Sequence, residues 1–182
     1  MIKLCIIDID GVVADGTARF QRAEEAKQAY EQTPESVMRN ERKGVDIYWQ
    51  TAFTPELVQL DTPIEGVDQA LMDIQERGYK VIFLTSRPES MSHATVQWLF
   101  EHTVYDSDDE LVLKAPAFKY TKTPVWKAGM VQTLAHLYGA TVVKFIDDEQ
   151  ANWEELLKYT PYADYSLEWF SSLKAAVESI AE

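Results

Sequence analysis

Lys3-Leu4-Cys5-Ile6-Ile7-Asp8-Ile9-Asp10-Gly11-Val12-Val13-Ala14-Asp15 carries an apolar, β-branched run straight into two carboxylates and a glycine. A run of this length bounded by an Asp-Gly turn predicts a buried strand over Lys3 to Ile9, with polar groups at its carboxyl end. Two acids at that place are costly unless a cation or hydrogen-bond donors compensate them. Two residues apart, Asp8 and Asp10 can converge on one metal and one phosphate. Taken alone, the same residues also read as an ordinary Asp-Gly turn.

The rest of the chain repeats this arrangement. Lys80 to Thr85 form a second apolar strand, ending in Leu84-Thr85-Ser86-Arg87-Pro88, where a hydroxyl and backbone N–H groups can bind phosphoryl oxygens. A helix over Glu89 to His102, with Val96, Leu99 and Phe100 inward, would turn its positive end to the same place. Glu110 to Leu113 read as a brief strand, and Thr123-Pro124 start a helix that Gly139 terminates. Lys127 stands in the first turn of that helix, placed to neutralise phosphate charge. Thr141 to Ile146 give a further strand ending in Asp147-Asp148-Glu149, acids suited to hold magnesium through oxygen ligands and water.

Alternating strands and helices predict an α/β fold, a doubly wound parallel sheet of Rossmann-like type with ligands beyond the carboxyl ends of its strands. Residues 17–60 interrupt the rhythm with a long charged helix from about Thr17 to Lys43, the aromatic-rich segment Asp46 to Phe53 and a short helix after Thr54-Pro55. This is read as a small helical, cap-like insertion within a single domain of residues 1–182. Thr62-Pro63 and Glu65 are expected to start the next helix, with Val67, Leu71 and Ile74 at helical spacing and Gly78 as its stop.

Composition narrows the function. A formal net charge of −13 counts against non-specific nucleic-acid binding, because it repels polyanions at long range. Cys5, the single cysteine, lies in the apolar run, and His93, His102 and His136 show no metal-ligand spacing, so neither a disulfide framework nor a zinc site is expected. No signal-like segment and no apolar stretch near the roughly 20 residues of a membrane span is present, and a cytoplasmic location is the expectation.

In this order, and each at a strand's end, the four motifs resemble those of haloacid dehalogenase superfamily phosphatases over nearly the whole chain. The resemblance implies the haloacid dehalogenase fold, Asp8 as nucleophile and Asp10 as general acid/base, through an aspartyl-phosphate intermediate. Thr85, Ser86 and Lys127 would hold the phosphoryl group. The implied magnesium (Mg) site draws on Asp8, Ile9, Asp10, Asp147 and Asp148, with the Asp8 carboxylate toward the metal and the Ile9 carbonyl away from it. Either Asp147 or Asp148 could be the direct ligand.

A closer likeness is to the phosphatase domain of polynucleotide kinase-phosphatases, carried by Asp8 to Asp15, Arg19, Asp61-Thr62-Pro63, Thr85 to Pro88 and Thr95-Val96-Gln97-Trp98-Leu99. It implies Arg19 and Arg87 as substrate contacts and terminal 3′-phosphates of nucleic acids as substrates. The chain departs from that pattern in Val12-Val13, where Thr-Leu is usual, in Ala18 before Arg19, where His is usual, and in Lys114, where Arg is usual.

Leu111 to Phe145 contain no Asp or Glu yet hold Lys114, Lys119, Lys122, Lys127 and Lys144 among Phe118, Tyr120 and Trp126. These could grip a nucleotide or nucleic-acid end, or be solvated lysines among core aromatics. Tyr30, Tyr48, Trp49 and Phe53 are expected to pack the insertion onto the core, the alternative being a lid. The function expected first is hydrolysis of a small phosphate ester or nucleotide. A 3′-phosphatase, a phosphotransferase and a non-catalytic binder of magnesium and a phosphorylated ligand are the other readings.

Overall fold

The computed structural model describes residues 1–33, 36, 42–106 and 108–181. Its strands are Ile2–Ile7 (β1), Ala14–Asp15 (β2), Thr62–Pro63 (β3), Tyr79–Pro88 (β4), Glu110–Lys114 (β5), Ala140–Ile146 (β6) and Ser166–Phe170 (β7). Its helices, leaving out single 3₁₀ turns, are Thr17–Glu31 (α1), Arg42–Ala52 (α2), Pro55–Val58 (α3), Val67–Glu76 (α4), Ser92–His102 (α5), Thr123–Tyr138 (α6), Gln150–Leu157 (α7) and Leu173–Ala181 (α8).

β1 is apolar on both faces because helices cover both. Leu4 and Ile6 face a core layer with α6 and α7, while Cys5 and Ile7 face a second layer with α4, α5 and α8. All the pairings in this sheet are parallel, in the order β5-β4-β1-β6-β7. The fold is therefore the expected α/β doubly wound sheet. The chain winds outward from β1 through β4 to β5 and then crosses to β6 and β7, so the order reverses between β1 and β6. Asp8 and Asp147 follow these two strands and so meet in the crevice where ligands bind in open α/β sheets.

The segment read as an insertion, residues 17–60, is flanked by two short paired strands. Ala14 pairs with Pro63 and Asp15 with Thr62 in an antiparallel ribbon, which brings the two ends of residues 17–60 together. Within it α2 packs back along α1, and α3 packs on α5.

Several expected elements differ. Thr62-Pro63 is an edge strand, as a proline without an N–H can be. The helix behind it begins only at Val67, after Gly66 turns the chain with φ +80°. The long charged helix ends at Glu31, where the Thr33 hydroxyl and N–H both donate to the Tyr30 carbonyl and Pro34 disfavours helical geometry at Thr33. A separate helix starts at Arg42, and most of the stretch between them lies outside the described residues. In α5 the buried side chains are Ala94, Thr95, Trp98 and Leu99, and Phe100 is 54% exposed. β7 and α8 complete the sheet and one core layer, although neither had been expected from the sequence.

Phe83, fully buried in β4 and packed on Tyr105, makes the sheet's dependence on side-chain volume measurable. Phe83→Ala is expected to cost about 3–5 kcal/mol in equilibrium urea unfolding. A loss below about 1 kcal/mol would mean that the layer collapses around the cavity.

Candidate active site

β1 delivers Asp8 to the end of the sheet, where its N–H donates to the Ile146 carbonyl at 2.8 Å and pins the strand to β6. Its Oδ1 accepts the Ile9 N–H at 2.8 Å. The chain then folds on itself: the Ile9 carbonyl accepts the N–H groups of Val12, Val13 and Ala14, with Val12 and Val13 buried. The Ile9 carbonyl is thus consumed inside the loop.

Lys127, nearly fully buried in the first turn of α6, places its Nζ 2.7 Å from Asp8 Oδ2 and 2.6 Å from Asp147 Oδ2. Asp147 is held on every side. Its Oδ1 accepts the Glu149 N–H at 2.9 Å, and the Asn152 amide donates to both its oxygens at 2.8 and 2.9 Å. The Trp169 indole donates to its carbonyl at 2.9 Å. Asp148 instead lies over the loop, its Oδ2 only 2.2 Å from where a Cβ on Gly11 would stand. Gly11 has φ +84°, a left-handed conformation that glycine adopts without a Cβ penalty.

One carboxylate oxygen from each of Asp8, Asp147 and Asp148 falls within 4.8 Å of the others. This oxygen-only set carries three negative charges against one lysine, and its chemistry fits a hard divalent cation such as magnesium. Burial pushes the Asp8 carboxyl up to about 7, opposed by Lys127 and reinforced by Asp147. Burial also raises Asp148, with Asp147 adding to it. The Asp10 carboxylate is not in this cluster.

Asp10 sits in a second network across the cleft. Arg19 Nη2 and Arg87 Nη2 both donate to its Oδ1, the latter at 2.6 Å, and Arg87 Nε to its Oδ2 at 3.2 Å. The same guanidiniums grip Asp61, Arg19 Nε at 2.8 Å and Arg87 Nη2 at 2.7 Å. The Trp98 indole donates to the Asp61 carbonyl at 3.0 Å. Two buried cations thus face two anions, which satisfies the demand that buried charge be paired. Burial pushes Asp10 up, but Arg87 and then Arg19 outweigh it and hold the carboxyl below its ordinary value. Asp61, in contrast, is raised by burial despite the same two cations.

A cavity of about 630 Å³ joins these networks and touches Asp8, Asp10, Lys127 and Asp148. Ser86 lines it, whereas Thr85 is fully buried and its Oγ1 accepts the Arg87 N–H at 3.2 Å. Phe20, Trp49 and Phe53 also line the cavity, so the insertion's rings do more than pack onto the core. Asn152, Trp169 and Phe20 are functional candidates that only the structure brings out, and Asp61 enters from the sequence only through the stretch Asp61-Thr62-Pro63. Asn152, at +5 from Asp147 and in the first turn of α7, was the one with a local signal.

No family model matches the chain, and no curated protein matches it in sequence. Solved structures do. The fold is similar to that of a haloacid dehalogenase superfamily hydrolase, subfamily IA variant 1, from Geobacter sulfurreducens, at 15% identity over 98% of this chain and 100% of that one, with a TM-score of 0.64. A haloacid dehalogenase-like hydrolase from Streptococcus pneumoniae superposes with a TM-score of 0.63 at 12% identity, covering 98% of both chains. A phosphoserine phosphatase gives 0.58 at 15% identity, again covering 98% of both. The chain has the haloacid dehalogenase fold.

An acid whose pKa is higher folded than unfolded loses stability as pH rises from the unfolded value toward the folded one. For Asp8 that window runs from about 4 to about 7. With chelator present, Asp8→Asn is expected to raise Tm at pH 8 by at least about 2–4 °C over wild type, with convergence near pH 4. Calorimetry with and without magnesium checks both halves, since magnesium should raise the Tm of wild type far more than that of the variant. Gly11→Ala drives a Cβ into the Asp148 carboxylate at a strained φ. It is expected to remove most of the magnesium-induced rise in Tm, read in the same scans.

Proposed function

We propose that the chain is a magnesium-dependent phosphomonoester hydrolase working through an aspartyl-phosphate on Asp8. One observation carries this reading: two carboxylates two residues apart are held in opposite environments across one cleft, Asp8 against Lys127 and the acid cluster, Asp10 between two arginines. Separate environments for paired acids are how a site assigns different roles to them.

Asp8, Asp147 and Asp148 would hold the magnesium ion, which when bound neutralises the crowded acids and the charge on the phosphoryl group. Asp147, already saturated by Lys127, Asn152 and the Glu149 N–H, serves chiefly to position, which leaves Asp148 as the freer ligand. The Asp8 carboxylate attacks phosphorus as the ester P–O bond breaks, and the leaving oxygen takes its proton from Asp10. Asp10 then removes a proton from water, whose oxygen attacks the acyl phosphate, releasing inorganic phosphate and regenerating Asp8. Arg19 and Arg87 favour the carboxylate form of Asp10 that this second half requires and oppose the protonated form that the first half requires, so the proton Asp10 takes from water is held only until the next leaving oxygen accepts it. Lys127 and Ser86 line the cavity where phosphoryl oxygens would lie, and Thr85 fixes the Arg87 backbone beside them. Residues 17–60 serve as a cap-like insertion within one domain and close the leaving-group side of the cleft.

The substrate class is a small phosphate ester or nucleotide, which suits a net charge of −13. Removal of 3′-phosphates from nucleic-acid ends is the second reading. It draws on the convergence of Arg19, Asp61, Arg87 and Trp98, the residues that carry the likeness to polynucleotide kinase-phosphatases, on a single network around Asp10. As for location, no helix among the described residues is long and apolar enough to cross a membrane.

Phosphate release with magnesium is expected from wild type and to fall at least about 1000-fold in Asp8→Asn, since removing a covalent nucleophile forfeits the two-step route. Trapping of phosphate on the wild-type chain after acid quench, absent in the variant, locates the intermediate. Equal turnover by the two proteins would sink the assignment.

A further inference from the structure

Beyond the phosphoryl site, the cavity has one aromatic wall and an acidic rim. Phe20, Trp49 and Phe53 form the wall, and the exposed Asp15 and Glu149 stand on the rim. The wall lies on the Asp10 side. The Arg19 guanidinium, hydrogen-bonded to Asp10, is stacked over Phe20 at 4.5 Å and Phe53 at 5.6 Å, so one side chain orients both rings and the acid/base. Trp49 stacks on Phe53 at 5.7 Å with an interplanar angle of 13°, and the edge of Tyr48 meets it at 4.9 Å. Held this way, Trp49 is still 49% exposed, whereas Trp98 and Trp126 are 0% and 4% exposed. A tryptophan fixed by its neighbours yet left open beside a cavity is a platform for another flat ring.

The rim restricts what that ring can carry. Among the described residues Lys127 is the only cation lining the cavity, and it is already paired with Asp8 and Asp147. Among the described side chains a second phosphate on the leaving group would therefore find no unpaired cation, while exocyclic amino groups would find Asp15 and Glu149 as acceptors. A quaternary ammonium group is less well served, because Arg19 already covers Phe20 and Phe53 and leaves one ring instead of a cage.

Resting on the phosphatase reading above, we propose that Trp49, held in place by Phe53 and Tyr48, selects a leaving group with a flat heteroaromatic ring, so that the substrate is a nucleoside monophosphate. Trp49 is the specificity-determining residue. The proton from Asp10 goes to the nucleoside oxygen, and the freed nucleoside leaves along the aromatic wall.

The test compares kcat/KM with magnesium for nucleoside monophosphates, nucleoside diphosphates, a sugar phosphate, choline phosphate and a 3′-phosphorylated oligonucleotide, in wild type and in Trp49→Ala and Trp49→Phe. Stacking a base on an aromatic side chain is worth about 10- to 100-fold. Trp49→Ala is expected to lower the ratio of nucleoside monophosphate to sugar phosphate kcat/KM by about that factor, mostly through KM, and Trp49→Phe to restore most of it. Calorimetric titration of a nucleoside monophosphate into Asp8→Asn, with and without Trp49→Ala, is expected to show the same loss in affinity without turnover. Turnover of the sugar phosphate with no nucleotide preference, or a ratio unmoved by Trp49→Ala, overturns the stacking wall and leaves the phosphatase standing. A preference for choline phosphate, the oligonucleotide or the diphosphate also overturns it. No turnover of any member, together with no binding by Asp8→Asn, overturns both.

Discussion

Three carboxylates crowd the carboxyl ends of two neighbouring strands, and a single ammonium lies between two of them. Asp8 and Asp147 can be this close only because β1 and β6 are adjacent, and Lys127 can reach both because α6, packed on the face of these strands, starts at their carboxyl ends. Buried like charges repel strongly at such distances, so the surrounding structure is arranged to hold them. Asn152, the Glu149 N–H and Trp169 fix Asp147, the β1–β6 hydrogen bond fixes Asp8, and Gly11 leaves the room that Asp148 takes. The excess negative charge that remains is the chemistry that suits a divalent cation.

The opposite wall obeys a different rule. Asp10, Asp61, Arg19 and Arg87 balance in charge and need no ion. This network also joins the parts of the molecule: Arg19 comes from the insertion, Asp61 from its return, Arg87 from the end of β4, and Trp98 reaches Asp61 from α5. Arg19 further donates to the Ala52 carbonyl at 3.2 Å and stacks on two rings of the insertion. The segment that carries Arg19 is thus bound to Asp10 by an interaction that also helps hold the Asp10 carboxyl below its ordinary value.

Cys5 illustrates the bland alternative for a reactive residue type. Its thiol, fully buried in the centre of the sheet, is pushed up to about 12 by burial, with Lys144 opposing. It packs as a small apolar group, as its place in the run Leu4 to Ile7 implied.

The alternation of β1, β4, β5 and β6 with α4, α5 and α6, the ends at which Asp8, Thr85 and Asp147 fall, and the Gly139 cap were legible because each depends on residues near in sequence: apolar runs, N-terminal prolines and a left-handed glycine. The break after α1, the edge strand at Thr62-Pro63 and the outward Phe100 were not, because the pairing partner or packing surface that decides them lies far along the chain. The same division runs through the site. Asp8, Asp10, Asp147 and Asp148 could be singled out from strand-end motifs, and Lys127 from its place near a helix start. That Asp10 faces two arginines instead of the acid cluster, that Asp61 completes their charge, and that Phe20 and Trp49 open onto the cavity were decided by tertiary structure, since ion pairing and exposure depend on which side chains distant segments bring within a few ångströms.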